Sequence, residues 1–152
     1  MGFDLILKNA RLATMSTDSG LVDIGLKDGK IAALETGLAS DGEAEDLGGK
    51  LVSSGLIESH FHLDKAMIID RVPIQPDRMV RDHMERTASI KHTFTPEDIY
   101  ARAEATIRQC MAHGVTHMRT QVEVDPNVSL KGFEAVEQLR KDYAWAIDIQ
   151  PC

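Results

Sequence analysis

Two histidines one residue apart, His60 and His62, carry the chemistry most readily read from this chain. Successive side chains of an extended strand point to opposite faces, so the two imidazoles project together while Phe61 points away. Two imidazoles on one face can share one metal ion. A catalytic metal centre takes three protein ligands and keeps one position open for water. With neutral nitrogen ligands, most of the ion's charge stays available to bring a water's pKa toward about 7. The hydroxide formed in that way is a nucleophile at neutral pH. Histidines two apart also occur by chance, so the pair draws its weight from its setting. Residues 54–65 read SGLIESHFHLDK, an apolar strand following Gly55 with the pair at its carboxyl end.

The elements that must position the pair follow from the pattern around it. Residues 3–8, 21–27 and 31–35 alternate as strands, and Asp28-Gly29 between the last two is a hairpin signal. A polar, glycine-rich stretch at 46–49 leads into a further short strand at 50–53. Residues 1–54 are therefore expected to form a small β-sandwich-like unit. After His62, Pro73 and Pro76 argue for a long loop rather than a helix. Residues 77–91 have a helical pattern in which Met79, Val80, His83, Met84, Thr87 and Ile90 share a face. Thr95 as N-cap, Pro96 at the first helical position and Glu97 and Asp98 in the first turn open a helix that Gly114 ends. A strand at 115–124, a helix at 130–141 and a strand at 145–149 complete the order. Such alternation implies parallel strands, in an open sheet or a barrel.

Three blocks carry a family resemblance. GLIESHFHLDK resembles the first barrel strand of the amidohydrolase superfamily, and its Leu63-Asp64 ending is similar to the cytosine deaminase branch. Residues 113–125, HGVTHMRTQVEVD, resemble that branch's second strand, and residues 145–150 its third. The resemblance covers nearly the whole chain. It implies an α/β fold: the amino-terminal part of a metal-dependent (β/α)8 TIM barrel, residues 55–152, preceded by the β-sandwich-like unit, both incomplete. A barrel of this kind takes about 250 residues, so the portion from 55 onward suffices for three of eight strands. The same resemblance implies that His60 and His62 are metal ligands, for zinc or iron. The remaining ligands, and the glutamate and aspartate that move protons, are expected on later strands beyond the chain's end. The implied chemistry is hydrolysis of carbon–nitrogen bonds other than peptide bonds, in this branch deamination of cytosine or a related nitrogen heterocycle. The substrate is then a small heterocycle or amide, and this length of chain alone is expected to be inactive.

Other residues near the pair have two readings each. Asp64 shares the parity of the histidines and either orients a ligand from behind or makes local backbone hydrogen bonds in the loop. Lys65 is expected to be a solvated loop charge. His117, Arg119, Gln121 and Glu123 share one face of the second strand, where Gln121 either hydrogen-bonds a heterocycle or belongs to a structural face. Family members often read RTHV where this chain has RTQV, which weakens cytosine itself as the substrate. His83, His92 and His113 are taken as surface or packing residues.

Composition bounds the rest. At 152 residues, 43% hydrophobic and 27% charged, the chain is an ordinary globular one, and its net charge of -7 argues against a nucleic-acid surface. No run approaches the roughly 18 apolar residues of a membrane span. The start MGFDLILKNA lacks a basic n-region, so a cytoplasmic location is expected. The sequence leaves a homo-oligomer open. Cys110 is expected as a small apolar helix residue, and Cys152 has no evident role. The small zinc nucleobase deaminases use HxE and PCxxC; His83-Met84-Glu85 and Pro151-Cys152 mimic parts of that pattern, but the second cysteine is missing. The alternative to a hydrolase is a non-catalytic fragment or scaffold with a vestigial metal pair.

Overall fold

In the computed structural model of the chain, residues 2–13, 20–39, 42–72 and 80–152 are described, residues 80–82 by their backbone alone. The chain divides into two compact units, Met1–Ser54 and Gly55–Cys152. Among the described residues no helix is long and apolar enough to cross a membrane.

The first unit is built from β1 (Leu5–Leu12), β2 (Val22–Lys27), β3 (Lys30–Glu35), β4 (Glu43–Asp46) and β5 (Leu51–Val52). They form one five-stranded sheet of order β3-β2-β1-β4, with β5 on the far end of β1. A second stacked layer, which a sandwich would need, is not formed among the described residues. The β2–β3 hairpin turns at Asp28 (φ 51°) and Gly29 (φ 71°), the left-handed pair that a two-residue turn requires. Strand β1 runs past the expected residues 3–8 because a bulge at Asn9 (φ 55°) lets it continue. Asn9 holds that bulge by donating from its backbone to Asp23 Oδ1 at 3.0 Å and from its side chain to Asp46 Oδ1 at 2.9 Å. Strand β4, with sequence EAED, was not anticipated: all four of its residues are exposed, so it carries no alternation to read.

The second unit runs β6 (Leu56–Phe61), α1 (Val80–Ile90), α2 (Pro96–Ala112), β7 (Val115–Thr120), α3 (Lys131–Asp142) and β8 (Asp148–Pro151). The three strands are parallel, in the order β6-β7-β8. Ile107 of α2 and Val136 and Leu139 of α3 share a buried core with Met118 of β7 and Ile149 of β8. Helix α2 begins as its sequence dictates, with Thr95 Oγ1 accepting from the Asp98 backbone at 3.2 Å. Gly114 supplies the left-handed residue (φ 87°) after the helix. The α/β alternation is thus present as three adjacent parallel strands with helices packed against them, and the barrel itself is not formed within these residues.

Three boundaries differ from the sequence pattern. Strand β7 stops at Thr120 rather than 124, although the Gln121 and Val122 backbones still donate to Phe61 and Cys152. The third strand starts at Asp148, not 145, because Trp145 stands 80% exposed outside the sheet. Helix α1 is described from Val80, and residues 73–79, which include both loop prolines and Met79, lie outside the described residues. Its anticipated face is not a buried one, since Met84 is 70% exposed.

Candidate active site

Strand β6 ends at Phe61, and the alternation of its last residues turns Phe61 onto the core while the flanking histidines remain exposed. The His60 and His62 ring centres lie 5.3 Å apart with their planes at 62°. Two imidazoles sharing one tetrahedral ion, with metal–nitrogen bonds of about 2.1 Å, hold their ring centres roughly 5 Å apart. The pair therefore fits two positions of a metal's coordination shell. Among the described residues no group of three or more His, Cys, Asp or Glu gathers around one point. The His62 pKa is lowered, chiefly by burial and then by Lys65, against the opposing influence of Asp64.

Immediately after the pair the chain is strapped down. Leu63 is fully buried, and its backbone donates to Thr120 Oγ1 of β7 at 3.0 Å. Asp64 is only 5% exposed. Its Oδ2 accepts from the Glu123 backbone at 3.0 Å, while Oδ1 is buried without a partner. Burial raises the Asp64 pKa, with the Glu123 hydrogen bond opposing. Gly132 of α3 makes room for it, since a Cβ there would stand 3.3 Å from that of Asp64. The Asp64 hydrogen bond thus joins the loop to the segment after β7, 59 residues away in sequence, rather than to the backbone of its own loop. Arg102 of α2 is buried and donates to the carbonyls of Asp64 (3.2 Å) and Ala66 (2.6 Å), pairs with Asp98 at 3.0 Å and lies over the Phe94 ring.

Lys65 is not a solvated charge. It bonds Glu123 Oε2 at 3.1 Å, while Lys91, in the turn after α1, bonds Glu123 Oε1 at 2.7 Å and pairs also with Asp125. The chain from Lys65 through Glu123 and Lys91 to Asp125 alternates in sign. Glu123 is held below its ordinary pKa, first by Lys91, and Asp125 is pulled down to about 2, again first by Lys91. The same bonds raise Lys91. Lys65, Lys91, Glu123 and His62 line a cleft of about 670 Å³ whose other wall is α1, with His83, Met84 and Thr87.

Of the expected site residues, His60 and His62 come together. Gln121 is half-buried, and its backbone donates to Phe61 at 2.7 Å, which places it beside the pair. Arg119 is used differently, donating to Gln150 of β8 at 2.9 Å. Arg102, Lys91 and the role of Glu123 escaped the sequence pattern. Arg102 had a signal, since it interrupts the apolar face that Ile99, Ala103 and Thr106 also bury. Lys91 had none, because its partner lies 32 residues away.

No family model matches the chain. The N-isopropylammelide isopropyl amidohydrolase of Pseudomonas sp. (strain ADP) is 29% identical over 157 residues, covering 97% of this chain and 37% of that protein. The solved structure of 5-methylcytosine deaminase from Klebsiella pneumoniae superposes with a TM-score of 0.80 at 30% identity, over 96% of this chain and 35% of that one. N-isopropylammelide isopropylaminohydrolase from Burkholderia multivorans gives a TM-score of 0.79 at 28% identity, over 97% and 36%. The chain spans little more than a third of the length of these relatives.

Proposed function

We propose, from the premise that its relatives and structural neighbours are amidohydrolase-superfamily proteins matching nearly the whole chain, that this chain serves a metal-dependent hydrolase. The whole protein would cleave carbon–nitrogen bonds, other than peptide bonds, of a small nitrogen heterocycle. The observation that carries this reading is the exposed His60–His62 pair, held with ring centres 5.3 Å apart at the carboxyl end of a parallel strand. Active sites of parallel α/β folds gather at that end.

In this reading His60 and His62 supply two ligands of a divalent ion, zinc or iron. When bound, such an ion acts as a Lewis acid and activates water for attack on the carbon that bears the nitrogen. The rest is done by the chain's own residues. Leu63, Asp64 and Arg102 fix the loop, so the imidazoles need no reorganisation to meet a ligand. Gln121, beside the pair, offers an amide that can both donate to and accept from a heterocycle edge. Asp64 acts from behind as an anchor of the His62 loop. The further metal ligands and the proton-moving carboxylates would be supplied from outside this chain, which on its own would not turn over.

The test is hydrolysis by the protein expressed to its natural end. Ammonia or amine release would be followed over a panel including cytosine, 5-methylcytosine and N-isopropylammelide. At least one ring should be hydrolysed by the native protein and not by its His60→Ala variant. Activity that survives His60→Ala, or none on any ring, contradicts the reading.

A further inference from the structure

The pairing of β6 with β7 changes step twice. Leu56 pairs with Val115 but Ile57 with His117, so Thr116 is an extra residue on β7, and Gly55 makes room for it, since a Cβ there would overlap the Thr116 side chain. Glu58 then pairs with Met118 and Phe61 with Thr120, which puts an extra residue on β6 and brings the two strands back into step. Partners across parallel strands share a face, and Met118 and Thr120 are both buried. Glu58 and Phe61 therefore lie on the same face, where a regular strand would turn residues at that spacing to opposite ones. Without the second bulge, His60 and His62 would follow Glu58 onto the buried face. Bulges re-aim side chains in this way while taking backbone groups out of the ladder. Here the His60 N–H, within the bulged stretch, donates to Glu58 Oε1 at 2.9 Å. Glu58 is half-buried on the α2 side of the strand, where burial first, and then the Glu58 charge, push the Cys110 thiol up.

We propose that Glu58 is a positioning residue: by accepting from the His60 backbone, its carboxylate holds the bulge that turns the histidine pair out of the buried face and toward the metal position. The inference rests on the metal-ligand reading of His60 and His62. Glu58 shares their parity in the sequence yet stands on the other side of the strand, so it acts on the pair through the backbone and not as a ligand. Groups that orient a metal ligand from behind are worth about 10- to 100-fold in metal affinity, and one acting through the backbone belongs at the lower end.

The experiment measures dissociation constants of Zn²⁺ and Fe²⁺ for the protein expressed to its natural end, together with hydrogen exchange at the His60 amide in the metal-free state. Glu58→Leu suits the apolar face beside Met118 but offers no acceptor. It should weaken metal binding by about tenfold and speed exchange at His60. Glu58→Gln keeps an oxygen where the carboxylate has one, so it should return both readings close to the native values, a rescue that separates the hydrogen bond from the charge. Circular dichroism of the metal-free proteins checks each fold, and Glu58→Met takes the place of Glu58→Leu if the latter does not fold. Metal affinity or His60 exchange unchanged in Glu58→Leu, or Glu58→Gln behaving like Glu58→Leu, overturns the role of Glu58 and leaves the hydrolase reading standing. Neither ion bound by the native protein overturns that reading and this role together.

Discussion

His60 and His62 stand exposed, whereas the two residues that follow are among the most buried in their unit. The two histidine rings lie edge to face, with His62 also beside the Gln121 backbone, while Leu63 and Asp64 are tied to β7, to the segment beyond it and to α2. The contrast shows how this chain divides its labour. Packing and hydrogen bonding are concentrated just beyond the histidines, so the rings stay exposed while the backbone beneath them is fixed. A site organised in this way separates stability from function, and substitutions on the two sides of His62 should have opposite signatures.

The largest effect is expected on the buried side. Leu63→Ala removes a fully buried side chain from the core shared with Ile107 and Met118. It should cost about 3 kcal/mol of stability, measured by urea unfolding. A cost below about 1 kcal/mol would break the contrast, because the loop would then be held by something other than its packing.

A smaller effect sharpens the electrostatic part of the anchor. The Asp125 carboxyl is held down to about 2, from an ordinary value of 3.8, first by Lys91 and then by the Asn127 backbone. A carboxyl with a depressed folded pKa binds protons more readily in the unfolded chain. Its contribution is therefore fully present above pH 3.8 and is lost as the pH falls toward about 2. Asp125→Asn should make the acid decline of the urea midpoint shallower across that window while leaving its shape above pH 5 or so unchanged. An identical acid decline in both proteins would mean that Lys91 does not hold Asp125 in solution.

What could be read in the sequence divides along the same line between local and distant causes. The histidine pair, the Thr95 cap and the Asp28-Gly29 turn are each set by a few neighbouring residues, and all three formed where the pattern placed them. Strand β4 was invisible because an exposed acidic strand is defined by its backbone pairing with β1, not by its own side chains. The extended, valine-bearing run after Thr120 looked like more of β7, but its length is decided by partners on β6 and at the chain's last residue. Trp145 misled for the opposite reason, an apolar residue that the sheet does not bury. The site showed the same split: the histidine pair lay in a three-residue motif, whereas Glu123's hold on Lys65 and Lys91 joins residues 58 and 32 positions apart.

The exposed side of the contrast should show the smallest change in stability and the largest in function. The decisive measurement is elemental analysis of zinc and iron in the protein expressed to its natural end, set against its His60→Ala, His62→Ala double variant. The account predicts about one metal per chain in the native protein and little in the variant, with unfolding free energies of the two proteins, both stripped of metal by a chelator, within about 0.5 kcal/mol of each other. Equal metal content in the two folded proteins, or none in either, would contradict it.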